Sequence, residues 1–160
     1  MIPKIIHYCW FGKGAMPELV QTCIASWHTH MPTWQFKLWS EDNFDIASAP
    51  QYVREAYETK KYAFVSDYVR SWALEREGGV YLDTDVEVLR PFDMLLNDTA
   101  FIGLEESLAL LPGTCVMGCE AHCQWVKDML ATYEDAKFLL EDGSMDMTTN
   151  VQRIGQKMVD

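Results

Sequence analysis

Basic residues are scarce in this chain of 160: 13 Lys and Arg stand against 24 Asp and Glu, giving a net charge of −11 and a pI near 4.7. That balance excludes non-specific attraction to nucleic acid or to an anionic membrane surface, since both need clustered positive charge. An anionic ligand would need local compensation, from a bound cation or a well-placed Arg. Long apolar runs are missing as well, and none approaches the roughly 20 residues that cross a bilayer. The opening stretch "MIPKIIHYCWFG" carries one Lys, an apolar run interrupted by His7, and no small-residue cleavage site. It reads as a first strand and not as a signal peptide, so a cytoplasmic location is expected. Repeats, low-complexity tracts and linkers are absent, and a single domain over residues 1–160 follows. Cysteines number five, an odd count that suggests free thiols in a reducing compartment. Cys115, Cys119 and Cys123 are closely spaced, but zinc sites pair such a group with a distant second pair, which this sequence lacks.

What is present alternates strand and helix patterns. "PKIIHYCW" (3–10) reads as a buried strand closed by the turn "FGKG". After Pro17, Leu19, Val20, Cys23, Ile24 and Trp27 recur at helical spacing, and "WQFKLWS" (34–40) alternates with period two. "SEDNF" carries helix-start chemistry, with Pro50 as punctuation beyond it. Residues 60–77 form one long helix ended by Gly78 and Gly79, and "VYL" is a strand running into Asp83. "AFIGLE" (100–105) and "GTCVMG" are further strands, 121–140 reads as helical, and 149–159 as a last helix. This order predicts an α/β sandwich with a largely parallel sheet.

Two constellations carry chemistry. Asp67 and Arg70, three residues apart, project from one face of the long helix; alone such a pair reads as a solvated surface pair, while the apolar residues nearly all round this helix suggest burial. Asp83 and Asp85 end the "VYL" strand, where open α/β sheets bind their ligands. Hard carboxylate oxygens suit Mg²⁺ or Mn²⁺, which take one or two carboxylates together with substrate phosphates.

The ordered set "IPKIIHYCWFG", "KYAFVSDYVRSWALEREGGVYLDTDVEVLRPFD" and "TTNV" resembles glycosyltransferase family 32, the DXD-motif sugar transferases of capsule and lipopolysaccharide synthesis. The same framework recurs in clostridial glucosylating toxins and yeast initiating mannosyltransferases. The resemblance implies a GT-A-like, Rossmann-type nucleotide-sugar-binding domain, with a mostly parallel sheet flanked by helices. It further implies that Asp85 ligates Mn²⁺ (or Mg²⁺), while Asp83 contacts the ribose and the metal's water shell. Tyr81 would touch the phosphate or ribose region. Asp67 and Arg70, supported by Ser66, would hold the donor sugar's hydroxyls. Trp10 would stack on the base, with Asn43 hydrogen-bonding it. Members of that family are longer, so a chain truncated at its C-terminus is implied.

The expected reaction moves a sugar, with retention, from a nucleotide-diphosphate donor (a UDP-sugar) to a saccharide or lipid-linked saccharide acceptor in bacterial surface polysaccharide synthesis. Peripheral membrane association through the acceptor goes with it, and nucleic acid is excluded. Two alternatives stand beside this: an inactive nucleotide-sugar-binding fragment, and a phosphohydrolase using Asp83. The second is disfavoured because Glu87 stands where such enzymes carry Thr or Val.

Overall fold

The computed structural model describes residues 1–105 and 111–159. β1 (Ile5–Cys9) and β2 (Gln35–Trp39) are parallel and are joined by α1 (Glu18–His30). The buried face of α1 carries Val20, Cys23 and Trp27 at spacings of three and four, as a helix laid on a sheet requires. α2 (Gln51–Glu58) and α3 (Tyr62–Glu77) follow, and the chain then returns as β3 (Gly79–Leu82), parallel to β1 with Ile6 opposite Val80. β4 (Ala100–Glu105) and β5 (Leu111–Cys119) pair antiparallel, and β5 is antiparallel to β3, giving the order β2-β1-β3-β5-β4. Four of these five strands therefore share one direction, and the expected mostly parallel α/β sheet is what the chain forms. α4 (Gln124–Ala131) and α5 (Asn150–Val159) complete the described fold.

Helices cover both faces of the sheet. Ile6, Val80 and Leu82 point towards Trp27 and Met31, while Tyr81 and Met117 point towards Val65, Val69 and Leu74 of α3. The period of two in β3 separates these layers, and all four of its residues are buried. Among the described residues no helix is long and apolar enough to cross a membrane.

The α3–β3 turn depends on its two glycines. Gly78 has φ of 64° and Gly79 of 110°, where L side chains are strained. A Cβ at Gly78 would lie 2.6 Å from the Ala121 nitrogen, and one at Gly79 would lie 2.7 Å from the Ile5 carbonyl oxygen. The turn is pinned by His7, whose buried ring donates from Nε2 to the Gly78 carbonyl (2.8 Å) and accepts at Nδ1 from the Trp39 indole (3.1 Å).

Two stretches differ from the sequence-based expectation. "SEDNF" is a turn, because Asn43 bonds back to the Ser40 amide (3.0 Å) and the helix starts only after Pro50. The expected helix over 121–140 spans only Gln124–Ala131. Beyond it the Glu55 carboxylate accepts the Phe138 and Leu139 amides at 2.8 and 2.9 Å, drawing Phe138 into the core against Tyr52 and Phe64. Burial of one aromatic ring outweighs continuation of an exposed helix.

Burial lowers the proton affinity of His7 below the ordinary value, against an opposing contribution from the Gly78 carbonyl. The unfolded chain takes up a proton near pH 6.5 where the folded ring does not, so stability falls as pH drops from about 6.5 towards the folded value. The urea midpoint is expected to decline between about pH 7.5 and 5.5, with a shallower decline in His7→Gln. Equal declines in the two proteins would assign the acid sensitivity to other groups.

Candidate functional site

The carboxyl ends of β1 and β3 lie side by side where strand order reverses: β1 passes through α1 to β2 on one side and has β3 on the other. Crossovers diverging from such a point leave a crevice above the strand ends. A cavity of about 550 Å³ opens there, lined by Cys9, Trp10 and Phe11 after β1, Ser66 and Arg70 of α3, and Tyr81, Asp83, Thr84 and Asp85 at and beyond β3. A second cavity of about 280 Å³ shares Ala63, Arg70 and Asp83 with it, and its wall includes Asp67, Thr114 and Asn150. A further cavity of about 400 Å³ between β4, α4 and α5 is almost wholly apolar and contains none of the expected site residues.

Arg70 is the hub. Its Nε–H donates to the Ser66 carbonyl (3.3 Å) and Nη1 donates to the Thr114 carbonyl (2.8 Å) and hydroxyl (3.1 Å), while Nη2 forms ion pairs with Asp67 (3.0 Å) and Asp83 (3.1 Å). A guanidinium has five N–H donors, and hydrogen bonds take three of them while Nη2 faces the two carboxylates. The group also lies 4.5 Å from the centre of the Tyr81 ring. Burial alone would weaken its hold on the proton, but Tyr81, Asp67 and Asp83 outweigh that and keep it charged. The i, i+3 pair is thus buried, with the Arg70 side chain 6% and the Asp67 side chain 14% exposed. The contacts seen for Arg70 are with protein groups, and among them it holds two carboxylates, Asp67 and Asp83, at the cavity walls.

Those carboxylates differ. Asp67 accepts the Asn150 amide at the start of α5 (3.1 Å), and burial pushes its carboxyl up from the usual range against the pull of Arg70. Asp83 engages Arg70 and the Tyr81 hydroxyl (3.0 Å) through one oxygen, Oδ1. Its other oxygen makes no protein hydrogen bond among the described residues. Asp85 is exposed, lines the cavity, and has no ion pair or hydrogen bond among the described residues. The donor set therefore fits a hard divalent cation: one unpaired carboxylate and one braced carboxylate with a spare oxygen. No group of three or more His, Cys, Asp or Glu gathers around a common point among the described residues, so such a cation would draw its remaining ligands from water and a bound anion.

Most other expected residues also come together. Trp10 stands outside both core clusters, partly exposed at the cavity wall, with its indole N–H donated to the Gly14 carbonyl (2.7 Å). Ser66 and Tyr81 line the same cavity. Tyr81 is buried, its hydroxyl given to Asp83, so it braces the carboxylate. Asn43 is apart from them: it is not among the residues lining the cavity, and its amide bonds the Ser40 amide and the Leu38 carbonyl (2.8 Å). Sequence reasoning missed Thr114 and Asn150. Thr114 leaves no local signal, since β5 pairing alone brings it to Arg70. Asn150 follows a capping box, in which the Thr149 amide bonds Gln152 (2.9 Å) and the Gln152 amide bonds Thr149 (3.3 Å), so T-x-x-Q could have located the helix start beside the site.

Comparison with known proteins follows the same outline. The family model described as "Glycosyltransferase sugar-binding region containing DXD motif" matches residues 17–102. Inositol phosphoceramide mannosyltransferase 1 of Schizosaccharomyces pombe is 30% identical over 109 residues, 63% of this chain and 33% of that protein. Glucan organizing enzyme 1 of Cryptococcus neoformans is 35% identical over 143 residues, 82% of this chain and 38% of that protein. The chain thus spans 33% to 38% of the length of these two curated relatives. The solved structure of PaToxG glycosyltransferase superposes with a TM-score of 0.70 at 17% identity, covering 99% of this chain and 70% of that one, a likeness of fold.

Removing Arg70 would leave Asp67 and Asp83 facing each other without a cation. Arg70→Met is expected to cost about 3–5 kcal/mol, the usual penalty for breaking a buried ion pair. Arg70→Lys should also be destabilising, since three donors cannot meet five acceptors. Urea denaturation checks this, and a loss under about 1 kcal/mol for Met would show the hub to be dispensable to the fold.

Proposed function

The chain belongs to the glycosyltransferase sugar-binding family containing the DXD motif, and from that premise we propose that it transfers a sugar from a nucleotide-diphosphate donor to a saccharide or lipid-linked saccharide acceptor. A UDP-sugar donor, retention of configuration, a family 32 placement and a cytoplasmic setting in surface polysaccharide synthesis belong to the same reading. One observation carries it: both DXD carboxylates, a partly exposed indole and a braced Asp67 converge on two joined cavities at the strand-order reversal. The mannosyltransferase relative supports a sugar-transferring role, and its name points to a lipid-linked acceptor.

The residues divide the work. Trp10 offers an aromatic face to the base, worth about 1–3 kcal/mol in comparable stacks. Asp83 and Asp85 would hold Mn²⁺ or Mg²⁺, which when bound supplies positive charge against the departing diphosphate. That charge is what an acidic chain needs to accept an anionic donor. Asp67 lines the smaller cavity, where the sugar would sit, and its fixed carboxylate accepts hydrogen bonds from sugar hydroxyls. Cleavage of the anomeric bond develops oxocarbenium character, and a sugar held in one orientation lowers that barrier by avoiding reorganisation. Arg70 contributes by keeping Asp67 and Asp83 in register.

Calorimetry with Mn²⁺ and UDP tests the proposal. Wild-type protein should bind UDP only when the metal is present, and Asp85→Asn should abolish that dependence while leaving the melting temperature unchanged. Metal-independent binding of equal strength in both proteins would remove Asp85 from the ligand set. Trp10→Ala should weaken UDP binding by about 1–3 kcal/mol without loss of fold.

A further inference from the structure

α5 is tethered to the rest of the chain through polar contacts more than by apolar burial. Among residues 150–156 only Asn150 and Ile154 are buried. The first turn is instead held by Arg153, whose guanidinium lies against a pair of rings, 4.9 Å from the centre of Tyr52 (in α2) and 4.8 Å from that of Tyr133 (just beyond α4). The rings themselves meet edge to face at 5.0 Å. The open edge of the guanidinium pairs with Asp146 at 2.6 Å, and its side chain is 11% exposed. Three residues earlier on the same face, Asn150 gives its backbone N–H to the Asp67 carboxylate and its side-chain amide to the Asp67 carbonyl (3.2 Å). The Asn150 Oδ1 is buried without a protein partner among the described residues, and Asn150 lines the smaller cavity with Asp67.

We propose that Arg153 is a positioning residue for recognition of the donor's sugar: seated against Tyr52 and Tyr133 and paired with Asp146, it sets the register of α5 and thereby holds Asn150 and Asp67 at the wall of the smaller cavity. The inference rests on the reading of the joined cavities as a nucleotide-sugar site. Its chemistry favours Arg, since a delocalised, weakly hydrated guanidinium can lie close to two aromatic rings while a further N–H of the same group makes an ion pair. An ammonium is a compact, strongly hydrated point charge and cannot make the ring contacts and the ion pair through separate parts of one rigid group. Without the grip, the Asn150 amides lose their fixed distance to Asp67, whereas the base and diphosphate contacts at Trp10, Asp83 and Asp85 are untouched.

The test compares wild type, Arg153→Met, Arg153→Lys and Asp146→Asn by two readouts. One is the affinity for UDP and for UDP-glucose with Mn²⁺. The other is amide hydrogen exchange over residues 149–154. Arg153→Met should leave UDP affinity within about twofold, weaken UDP-glucose by about tenfold or more, and abolish exchange protection at 149–154. Arg153→Lys should recover part of both, and Asp146→Asn should show the same pattern more mildly. If Arg153→Met does not fold, the Lys and Asn variants carry the same comparison. Unchanged protection at 149–154, or equal losses for UDP and UDP-glucose that follow a lowered melting temperature, would overturn the proposal. If wild type binds neither ligand, the donor reading fails and takes the recognition role with it, whereas unchanged wild-type binding with a donor-insensitive Met variant sinks only the role of Arg153.

Discussion

The site depends on a buried guanidinium. Arg70 is held by two carboxylates, a hydroxyl, two carbonyls and the face of a tyrosine, drawn from α3, β3, β5 and the turn beyond β3. A charge taken out of water is tolerated only when such partners are complete. That requirement constrains much else. β3 must return alongside α3, which the Gly78–Gly79 turn permits and His7 pins. β5 must run against β3, so that the Thr114 carbonyl and hydroxyl come to Nη1 while the Cys115 carbonyl accepts the Asp83 amide. A change in any of these elements would leave a buried donor or acceptor unmatched.

The same hub separates two kinds of carboxylate. Asp67 and Asp83 are tied to Arg70, and Asp85 stands free at the cavity. In our reading the division suits a donor with a charged end and a neutral end. A cation at the free carboxylate meets the diphosphate, and the fixed Asp67 meets hydroxyls whose positions must be specified closely. In the same reading, the net charge of −11 is what a local cation would offset for an anionic donor. The apolar layers on either face of the sheet keep this polar assembly rigid, since the strands carrying it are buried on both sides.

Much of this was legible in the residues because it is local. The Asp67–Arg70 pair follows from helix periodicity, the two glycines from the end of that helix, and the Asp83–Asp85 pair from its place after an apolar strand. What was not legible is non-local. Nothing near Thr114 announces that strand pairing delivers it to Arg70, and the commitment of Nη1 to its carbonyl and hydroxyl is visible only once β5 is in place. Asn43 shows a related ambiguity. An Asn beside a strand end can serve a ligand or close a turn, and the Ser40 amide and Leu38 carbonyl decided for the turn. The early end of α4 likewise reflects a distant residue, Glu55, capping the chain where Phe138 enters the core.

Anomalous diffraction from crystals grown with Mn²⁺ and UDP tests the central claim most directly. The account predicts one manganese peak within bonding distance of Asp85, with the diphosphate beside it and the uracil against Trp10. A peak elsewhere, or UDP seated in the apolar cavity between β4, α4 and α5, would contradict it.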